Sequence, residues 1–291
     1  MSKAPIVVCD PGIDDFLGLL VMAGSGSPPR AVIGTGGNVT SDLAYRNAAA
    51  TMALLGLDCP VAKGVDSGFA SPYPDTGDPF HGSDGLGGMA SHLPPVHPPK
   101  DLPAAIPMIE GLVLATGALT LVAEALNAGN PITEIVWMGG AVACGGNMTP
   151  AAEFNAWLDP EAADLVLASD IPLSMIPLDV TRQIRLTPDD LAVMAELGEV
   201  STLAARACSH FHNQGDPMVP HDAVAVVAML QPELFAWEEY WVRCEQDGRW
   251  TRGMTVVDRR PHGEPGSVRV ATDVQWEPVK ERIFEALRSL D

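Results

Sequence analysis

The chain has 291 residues, which is enough for one large α/β domain with a substantial core. Its 37 acidic and 17 basic residues give a net charge of −20. Nucleic acids and anionic membranes bind positively charged surfaces, so this balance argues against both as partners. The sequence also lacks an apolar stretch of the roughly 18 residues that a membrane-spanning helix needs.

The cysteines and the N-terminus bear on the cellular compartment. The five cysteines are scattered and none forms a Cys-x-x-Cys pair, which is typical of free thiols and not of a disulfide framework. The residues before the first predicted strand contain no apolar signal segment. We therefore expect a cytoplasmic protein.

The segment after the first predicted strand carries the strongest chemical signal. The apolar run Ile6–Cys9 precedes Asp-Pro-Gly-Ile-Asp-Asp at positions 10–15, which predicts a buried strand, a tight turn and a helix starting near Asp15. Ligands of open α/β sheets bind at the carboxyl ends of strands. Three carboxylates there suit a hard cation such as Ca²⁺ or Mg²⁺. The alternative is a solvated turn in which Asp14 and Asp15 only cap a helix.

Further apolar strands alternate with helices along the chain. We predict strands at 31–34, 112–115, 135–138 and 173–178, a helix through residue 55 that Ser41 or Asp42 caps, and a helix over 119–128. This alternation indicates βαβ units. The predicted fold class is α/β, a single Rossmann-like domain over 1–291 with an open, mostly parallel sheet flanked by helices. The sequence shows no internal repeat and no linker.

Two segments interrupt the alternation. Residues 64–99 are rich in Gly, Pro, Ser and Asp and predict a long loop, and loops of that length are usually functional or disordered. Residues 240–244 and 250–257 flank Asp247-Gly248, which predicts a C-terminal hairpin.

Three polar residues follow the glycine-rich stretch that begins at Gly139. Asn147, Glu153 and Asn155 offer amides and a carboxylate that can hydrogen-bond the hydroxyls of a polyol, and the glycines leave little room for a helix. The alternative is turn chemistry, because Asn in a glycine-rich loop often only accommodates a left-handed backbone.

His221 and Asp222 open an apolar helix that runs to residue 230. The helix dipole is a sufficient reason for Asp222 in the first turn, and His221 could equally cap the helix or lie in the core. Asp179, which follows the strand predicted at 173–178, could likewise belong to the site or serve only the local structure.

Together these motifs resemble those of the inosine–uridine-preferring nucleoside hydrolases in order and spacing. The matching positions are 10–15, 37–38, 81–82, 116–120, 138–140, 147–155, 177–181, 221–222, 252–258 and the segment around Val270. The resemblance covers essentially the whole chain. It implies an enzyme that hydrolyses the N-glycosidic bond of ribonucleosides to ribose and free base.

The resemblance further implies one Ca²⁺ at the rim of the sheet. Its protein ligands would be Asp10, Asp15, Asp222 and the backbone carbonyl of Thr116. Water and the ribose 2′- and 3′-hydroxyls would complete an oxygen-only shell. The ion would orient the diol and lower the pKa of its water.

The resemblance also assigns roles around the sugar. Asp10 would be the general base that delivers hydroxide to the anomeric carbon through an oxocarbenium-like transition state, and Asn38 would help to place that water and the 2′-hydroxyl. The other substrate contacts would be Asp14 and Asn155 at the 2′- and 3′-hydroxyls, Asn147 and Glu153 at the 5′-hydroxyl, and His81 on the nucleobase side. A phosphate at the 5′ position would be repelled by Glu153.

His221 matches the candidate general acid of the broader-specificity branch of the family. With an ordinary pKa of about 6.5, a histidine can donate a proton to a leaving base near neutral pH. The purine-specific branch carries Trp at this position, so His221 favours the broader branch without choosing between a purine and a pyrimidine. The segments 64–99 and 210–220 would flank the base.

Several positions depart from the family pattern. Val8 stands where an acid is common, which predicts a lower affinity for Ca²⁺. Ala118 and Leu121 replace Pro and Asn after the metal-binding carbonyl, and Phe16 replaces a small residue. None of these changes removes a proposed ligand or the proposed base, so we expect an active enzyme.

Other functions share part of these features. A phosphatase of the haloacid dehalogenase type also places an Asp after its first strand, but it needs Asp-x-Asp there and a basic residue for the phosphate. Position 8 is Val, and the motifs that follow the predicted strands contain neither Lys nor Arg. A nucleoside-binding protein without turnover would not need Asp10. A modified or non-standard ribonucleoside is a further candidate substrate, and the family resemblance implies a homodimer or homotetramer.

Overall fold

The computed structural model describes residues 4–73, 80–96, 102–215 and 217–290. The strands in this part of the chain are β1 (Ile6–Cys9), β2 (Ala31–Gly34), β3 (Val61–Lys63), β4 (Gly111–Ala115), β5 (Ile132–Met138), β6 (Leu173–Ile176), β7 (Phe235–Cys244), β8 (Thr255–Asp258) and β9 (Val268–Val274). The α-helices are α1 (Ile13–Gly24), α2 (Ser41–Leu54), α3 (Thr120–Asn127), α4 (Phe154–Leu158), α5 (Pro160–Leu167), α6 (Leu178–Thr181), α7 (Pro188–Ala195), α8 (Glu199–Gln214), α9 (His221–Leu230) and α10 (Trp276–Arg288).

These strands form one sheet in the order β3-β2-β1-β4-β5-β6-β9-β7-β8. Every neighbouring pair from β3 to β9 is parallel, whereas β7 is antiparallel to both β9 and β8. The chain builds β2 and β3 on one side of β1 and then crosses to β4 on the other side. Such a reversal opens a crevice outside the carboxyl ends of the two central strands, here β1 and β4. The predicted open, mostly parallel α/β sheet is confirmed.

Helices cover both faces of the sheet. In β1, Val7 and Cys9 belong to an apolar cluster with α1, α8, α9 and α10, while Ile6 and Val8 belong to a second cluster with α3 and α5. Strands that are buried on both faces are continuous apolar runs, as the β1 sequence is. Val8, where the family resemblance leads us to expect an acid, lies in the second apolar cluster.

The strand predicted at 173–178 is shorter than expected. It ends at Ile176, and Asp179 lies in the first turn of α6. The reason is Pro177, which has no N–H to extend the ladder and which instead stands at the N-cap of α6 with an extended backbone. The helix predicted from 119 is confirmed as α3, and the strands at 31–34, 112–115 and 135–138 are confirmed as β2, β4 and the end of β5.

The starts of the first two helices differ from the prediction, although Asp15 does take part in capping α1, since its Oδ2 accepts the Gly12 N–H. Helix α1 begins at Ile13, not near Asp15. In α2 the cap is Thr40, whose Oγ1 accepts the Leu43 N–H, because the Ser41 hydroxyl is already bound to Asp66.

Three other regions test the predictions on irregular structure. Glu153 caps α4, so the expectation that the stretch with Asn147, Glu153 and Asn155 leaves little room for a helix is wrong. The hairpin is confirmed, but β8 begins only at Thr255. In the described parts of the loop predicted at 64–99, the only helical turn is Ala90–His92; residues 74–79 and 97–99 lie outside the described residues. Across the described chain, no helix is long and apolar enough to cross a membrane.

Candidate active site

Four aspartates meet at the crevice between β1 and β4. Asp10 directly follows β1, Asp14 and Asp15 lie in the first turn of α1, and Asp222 lies in the first turn of α9. All four are buried. Carboxylate oxygens of Asp14, Asp15 and Asp222 lie within 4.8 Å of one another. Helices α1 and α9 approach closely beside this group, since a Cβ on Gly18 would lie 3.3 Å from the Asp222 backbone.

Neighbouring donors hold two of these carboxylates in place. Asp15 accepts the Gly12 N–H at 3.1 Å and the Thr116 hydroxyl at 2.7 Å. Asp10 accepts the backbone N–H of Asn38 at 2.8 Å through Oδ2. A Cβ on Gly37 would lie 1.9 Å from that oxygen, so only glycine allows this approach.

Two carboxylate oxygens of the group are left without a donor. Among the described residues, Oδ1 of Asp10 and Oδ1 of Asp14 are the buried side-chain oxygens that have no hydrogen-bond partner. A buried acceptor without a partner costs about 1–3 kcal/mol. A cation with oxygen ligands would satisfy both atoms.

Burial and mutual repulsion raise the pKa values of these acids. Burial raises the pKa of Asp14 to about 6 and, together with the charge of Asp14, that of Asp15 to about 7. The pKa values of Asp10 and Asp222 are also well above the ordinary range, first because of burial and then because of the neighbouring aspartates. The site therefore favours either protons or a bound positive charge.

A cavity of about 390 Å³ opens above the aspartates. Its polar lining includes most of the residues singled out from the sequence: Asp14, Asn38, His81, Thr116, Asn147, Glu153, Asn155, His221 and Asp222. Asp10 and Asp15 are not in the lining but are hydrogen-bonded to it through Asn38 and Thr116. The structure thus brings every predicted site residue to one place. The carboxylates that lie close enough together to share one ion are those of Asp14, Asp15 and Asp222. Asp14 was predicted as a sugar ligand, whereas Asp10, which was predicted as a metal ligand, is not part of this close group.

One wall of the cavity is the start of α4. Glu153 accepts the N–H groups of Gly140, Asn155 and Ala156, and burial raises its pKa to about 7. The Asn155 amide donates to the carbonyl of Thr116 at 3.0 Å. Asn147 accepts the Phe154 N–H at 2.9 Å. These amides and this carboxylate are fixed by backbone contacts before any ligand binds.

His81 lines the cavity from the long loop. Its Nδ1 accepts the N–H of Ile13 at 3.0 Å and lies 3.9 Å from Oδ1 of Asp14. Its ring meets Phe211 of α8 edge to face at 5.6 Å between centroids. The loop and α8 therefore both reach the cavity, as predicted for segments 64–99 and 210–220; Asp216 lies outside the described residues.

His221 differs from the expected near-neutral histidine. Burial, followed by the charges of Arg182 and His81, lowers its pKa to about 3. Its Nδ1 lies 2.8 Å from Oγ1 of Thr181. Thr181 is fully buried, and among the described residues its hydroxyl has no other acceptor, so the hydroxyl donates to Nδ1. The imidazole is then neutral and carries its proton on Nε2.

Sequence reasoning missed Arg182, which also lines the cavity. It stands one residue beyond the 177–181 motif, at the end of α6. Its position in the sequence carries no local signal for the cavity, because α6 separates it from the end of β6. The apolar part of the lining was missed as well: Phe80, Met138, Met148, Phe154, Phe211, Pro217 and Val219.

Comparisons with known proteins agree with this geometry. Residues 6–281 match the family model described as inosine-uridine preferring nucleoside hydrolase. The pyrimidine-specific ribonucleoside hydrolase RihA of Shewanella woodyi is 37% identical over 94% of this chain and 93% of its own length. RihA of Citrobacter koseri is 38% identical over 89% of each protein.

Solved structures extend the similarity to the whole fold. The purine-preferring ribonucleoside hydrolase of Gardnerella vaginalis has a TM-score of 0.88 at 25% identity, over 98% of each chain. A plant nucleoside hydrolase has a TM-score of 0.87 at 26% identity, over 98% of this chain and 99% of that one. The chain therefore belongs to the inosine–uridine-preferring nucleoside hydrolase family, and it is an enzyme that hydrolyses the N-glycosidic bond of ribonucleosides.

Proposed function

We propose that this enzyme is a Ca²⁺-dependent hydrolase of pyrimidine ribonucleosides. The observation that carries the metal part is the pair of buried, unpartnered oxygens on Asp10 and Asp14 beside a cluster of carboxylates. Carboxylate and carbonyl oxygens are the ligands that Ca²⁺ prefers. The base preference is supported by the names of the Shewanella woodyi and Citrobacter koseri relatives, both called pyrimidine-specific.

The residues that would hold the ion are Asp10, Asp15, Asp222 and the carbonyl of Thr116, with Asp14 beside them. When bound, Ca²⁺ supplies positive charge that favours the ionised carboxylates, orients a diol and acidifies water. The carbonyl of Thr116 is already held by the Asn155 amide, which leaves its second lone pair for another partner.

Asp10 would act as the general base. Its Oδ2 is held by the Asn38 N–H, which leaves Oδ1 to accept a proton from water as that water attacks the anomeric carbon. The bond from this carbon to the base nitrogen would break, and its electron pair would leave with the base, which takes a proton from solvent to become the free base. The positive charge that develops on the ribose ring is stabilised by the surrounding carboxylates.

His221 would assist the leaving base as a hydrogen-bond donor. A histidine with a pKa of about 3 is neutral at neutral pH, so the expected proton transfer from an imidazolium has little support in this environment. The Nε2–H of the neutral ring can still donate to a base oxygen or nitrogen that gains negative charge. Arg182 adds a positive charge to the same cavity.

The ribose hydroxyls would bind at the fixed polar wall. Asp14 and Asn155 would bind the 2′- and 3′-hydroxyls, and Asn147 and Glu153 would bind the 5′-hydroxyl. Each of these side chains lines the cavity. His81 and the aromatic residues of the lining would lie beside the base.

The first experiment is a substrate panel with a metal control. Purified protein is incubated with uridine, cytidine, inosine, adenosine, guanosine and uridine 5′-monophosphate, and free ribose or ribose phosphate is measured with a chelator and after Ca²⁺ is restored. We expect chelator-sensitive release from uridine and cytidine first and little from the monophosphate. Faster release from the purine nucleosides would contradict the base preference, and release that survives chelation would contradict the metal.

A homodimer or homotetramer in the cytoplasm stays a prediction, and light scattering of the purified protein tests the oligomeric state.

A further inference from the structure

The backbone of the loop between β5 and α4 is bound by side chains of one short helix, α6. Residues 142–146 of this loop precede Asn147 and form neither helix nor strand. Loops of this kind need partners for their backbone polar groups. Here the partners are two side chains that stand three residues apart, Asp179 in α6 and Arg182 at its C-cap.

Asp179 binds the first half of the loop. Its carboxylate accepts three consecutive backbone N–H groups, those of Val142 at 2.7 Å, Ala143 at 2.6 Å and Cys144 at 3.0 Å. Consecutive N–H groups that converge on one anion form a concave site that suits a negative charge. The Asp179 carboxylate therefore fixes the direction in which the chain leaves the sheet.

Arg182 binds the second half. One terminal nitrogen donates to the carbonyl of Gly145 at 2.9 Å and the other to that of Gly146 at 3.0 Å. The two bonds use the fork of the guanidinium, which a lysine cannot reproduce. Together the two side chains bind a backbone N–H or carbonyl of each of the five successive residues 142–146.

The 142–146 loop ends at the part of the cavity that would bind the ribose, beside the start of α4. Asn147 follows Gly146 directly, and its Oδ1 accepts the Phe154 N–H at the start of α4. Glu153 caps the same helix, and its pKa, raised by burial, is lowered in part by the charge of Arg182. The position of Asn147 thus depends on both ends of the 142–146 loop.

We propose that Asp179 and Arg182 are positioning residues that hold the 142–146 loop so that Asn147 and Glu153 recognise the 5′-hydroxyl of the ribose. The inference rests on the proposed function, in which Asn147 and Glu153 bind the 5′-hydroxyl. Neither Asp179 nor Arg182 needs to touch the reacting atoms for this role.

The test compares two substrates that differ only at the 5′ position. Uridine and 5′-deoxyuridine are hydrolysed by the wild-type enzyme, by Arg182→Met and by Asp179→Asn. Arg182→Met keeps the apolar stem and removes the two bonds to the loop. Arg185→Met is the matched control, because Arg185 is exposed and lies three residues further along the chain.

We expect Arg182→Met to reduce the preference for uridine over 5′-deoxyuridine about tenfold in kcat/KM, which corresponds to about 1.4 kcal/mol. Asp179→Asn should act in the same direction, since one of its oxygens becomes an N–H donor facing Val142. Arg185→Met should keep the wild-type preference. Calorimetric titration with Ca²⁺ should give the wild-type affinity for Arg182→Met, which shows that the aspartate group is intact.

Three results would overturn the proposal. An equal loss of kcat/KM for both substrates in Arg182→Met would mean that the loop does not recognise the 5′ position, although the proposed function would stand. A wild-type enzyme that releases ribose at the same rate from both substrates would remove the 5′ contact itself. Absence of ribose release from every nucleoside would instead refute the proposed function and this inference with it.

Discussion

Asp10 is the residue for which the structure and the proposed chemistry agree most closely. One of its oxygens is fixed by the Asn38 N–H, and the other is buried without a partner among the described residues. We expect Asp10→Ala to lower kcat by about a thousandfold, as loss of a general base typically costs 10²–10⁴-fold. Ribose release under saturating Ca²⁺ and uridine measures the effect.

A melting curve of the same variant is the control. Removing Asp10 also removes one of several crowded negative charges, so the metal-free variant should melt no lower than the wild type. Turnover within tenfold of the wild type would assign the base to another residue.

Thr181 offers a way to examine His221 without removing it. Its hydroxyl donates to Nδ1 and so keeps the proton on Nε2, toward the cavity that His221 lines. We expect Thr181→Val to lower kcat for uridine about tenfold and for 5-fluorouridine, whose base leaves more easily, by less. Thr181→Ser, which keeps the hydroxyl, should behave like the wild type.

The comparison of the two substrates separates chemistry from packing. A packing defect would slow both nucleosides equally. Equal losses in Thr181→Val, or a failure of Thr181→Ser to restore the rate, would show that the hydrogen bond does not act on the leaving base.

At the residue scale, the acidic members of the site were accessible from the sequence and Arg182 was not. Asp10, Asp14 and Asp15 stand in one motif after an apolar strand, so local sequence alone places them at a strand end. Arg182 enters the cavity only because α6 turns back toward the 142–146 loop. No local pattern encodes that contact.

At the scale of elements, helix α2 connects the aspartate motif to the long loop. Asn47 of α2 is buried and its amide donates to the carbonyl of Pro11 at 3.0 Å and to that of Asp84 at 2.9 Å. We expect Asn47→Ala to cost about 2 kcal/mol in the free energy of unfolding, because both carbonyls lose their donor. Chemical denaturation measures the cost.

The neighbouring Arg46→Ala is the matched control, since Arg46 is exposed on the same helix. It should change stability by less than about 0.5 kcal/mol. If both variants lost the same amount, the helix and not the two carbonyl contacts would account for the effect.

The elements that were predicted correctly are those with a local signal. Strand β2 is an apolar run that ends in Gly34, and β4 is an apolar run that Thr116 follows, so the hydrophobic pattern is sufficient to predict both. Helix α4 was missed because its N-cap is Glu153, and Glu is not among the residues that usually cap helices. Strand β9 lies between β6 and β7, a position set by long-range pairing and not by its own sequence.

At the scale of the whole molecule, the order of the strands determines where the site forms. The chain reverses between β3 and β4, so the ends of β1 and β4 border one crevice. Asp222 lies more than 200 residues after Asp10 in the sequence, and it reaches this crevice because α9 packs beside α1. The alternation of strands and helices predicts such a crevice, but only the family resemblance linked Asp222 to Asp10 before the structure was known.

The molecule as a whole should show how protons and Ca²⁺ compete for these aspartates. Their pKa values in the folded protein lie above the ordinary value of 3.8, with Asp14 at about 6 and Asp15 at about 7. The folded state therefore favours the protonated carboxylates, and the stability that they contribute is lost as the pH rises through about 6 to 7. A net charge of −20 acts in the same direction.

We expect the melting temperature of the chelator-treated protein to fall between about pH 5 and pH 8, and the increase on adding Ca²⁺ to be larger at the higher pH. At a hundredfold excess of Ca²⁺ over its Kd, the gain is about 2.7 kcal/mol. Because Ca²⁺ binds the ionised acids, its binding should release protons near pH 6, which calorimetry in buffers of different ionisation enthalpy detects. A Ca²⁺-induced increase that is the same at both pH values would mean that the ion binds away from the aspartate group.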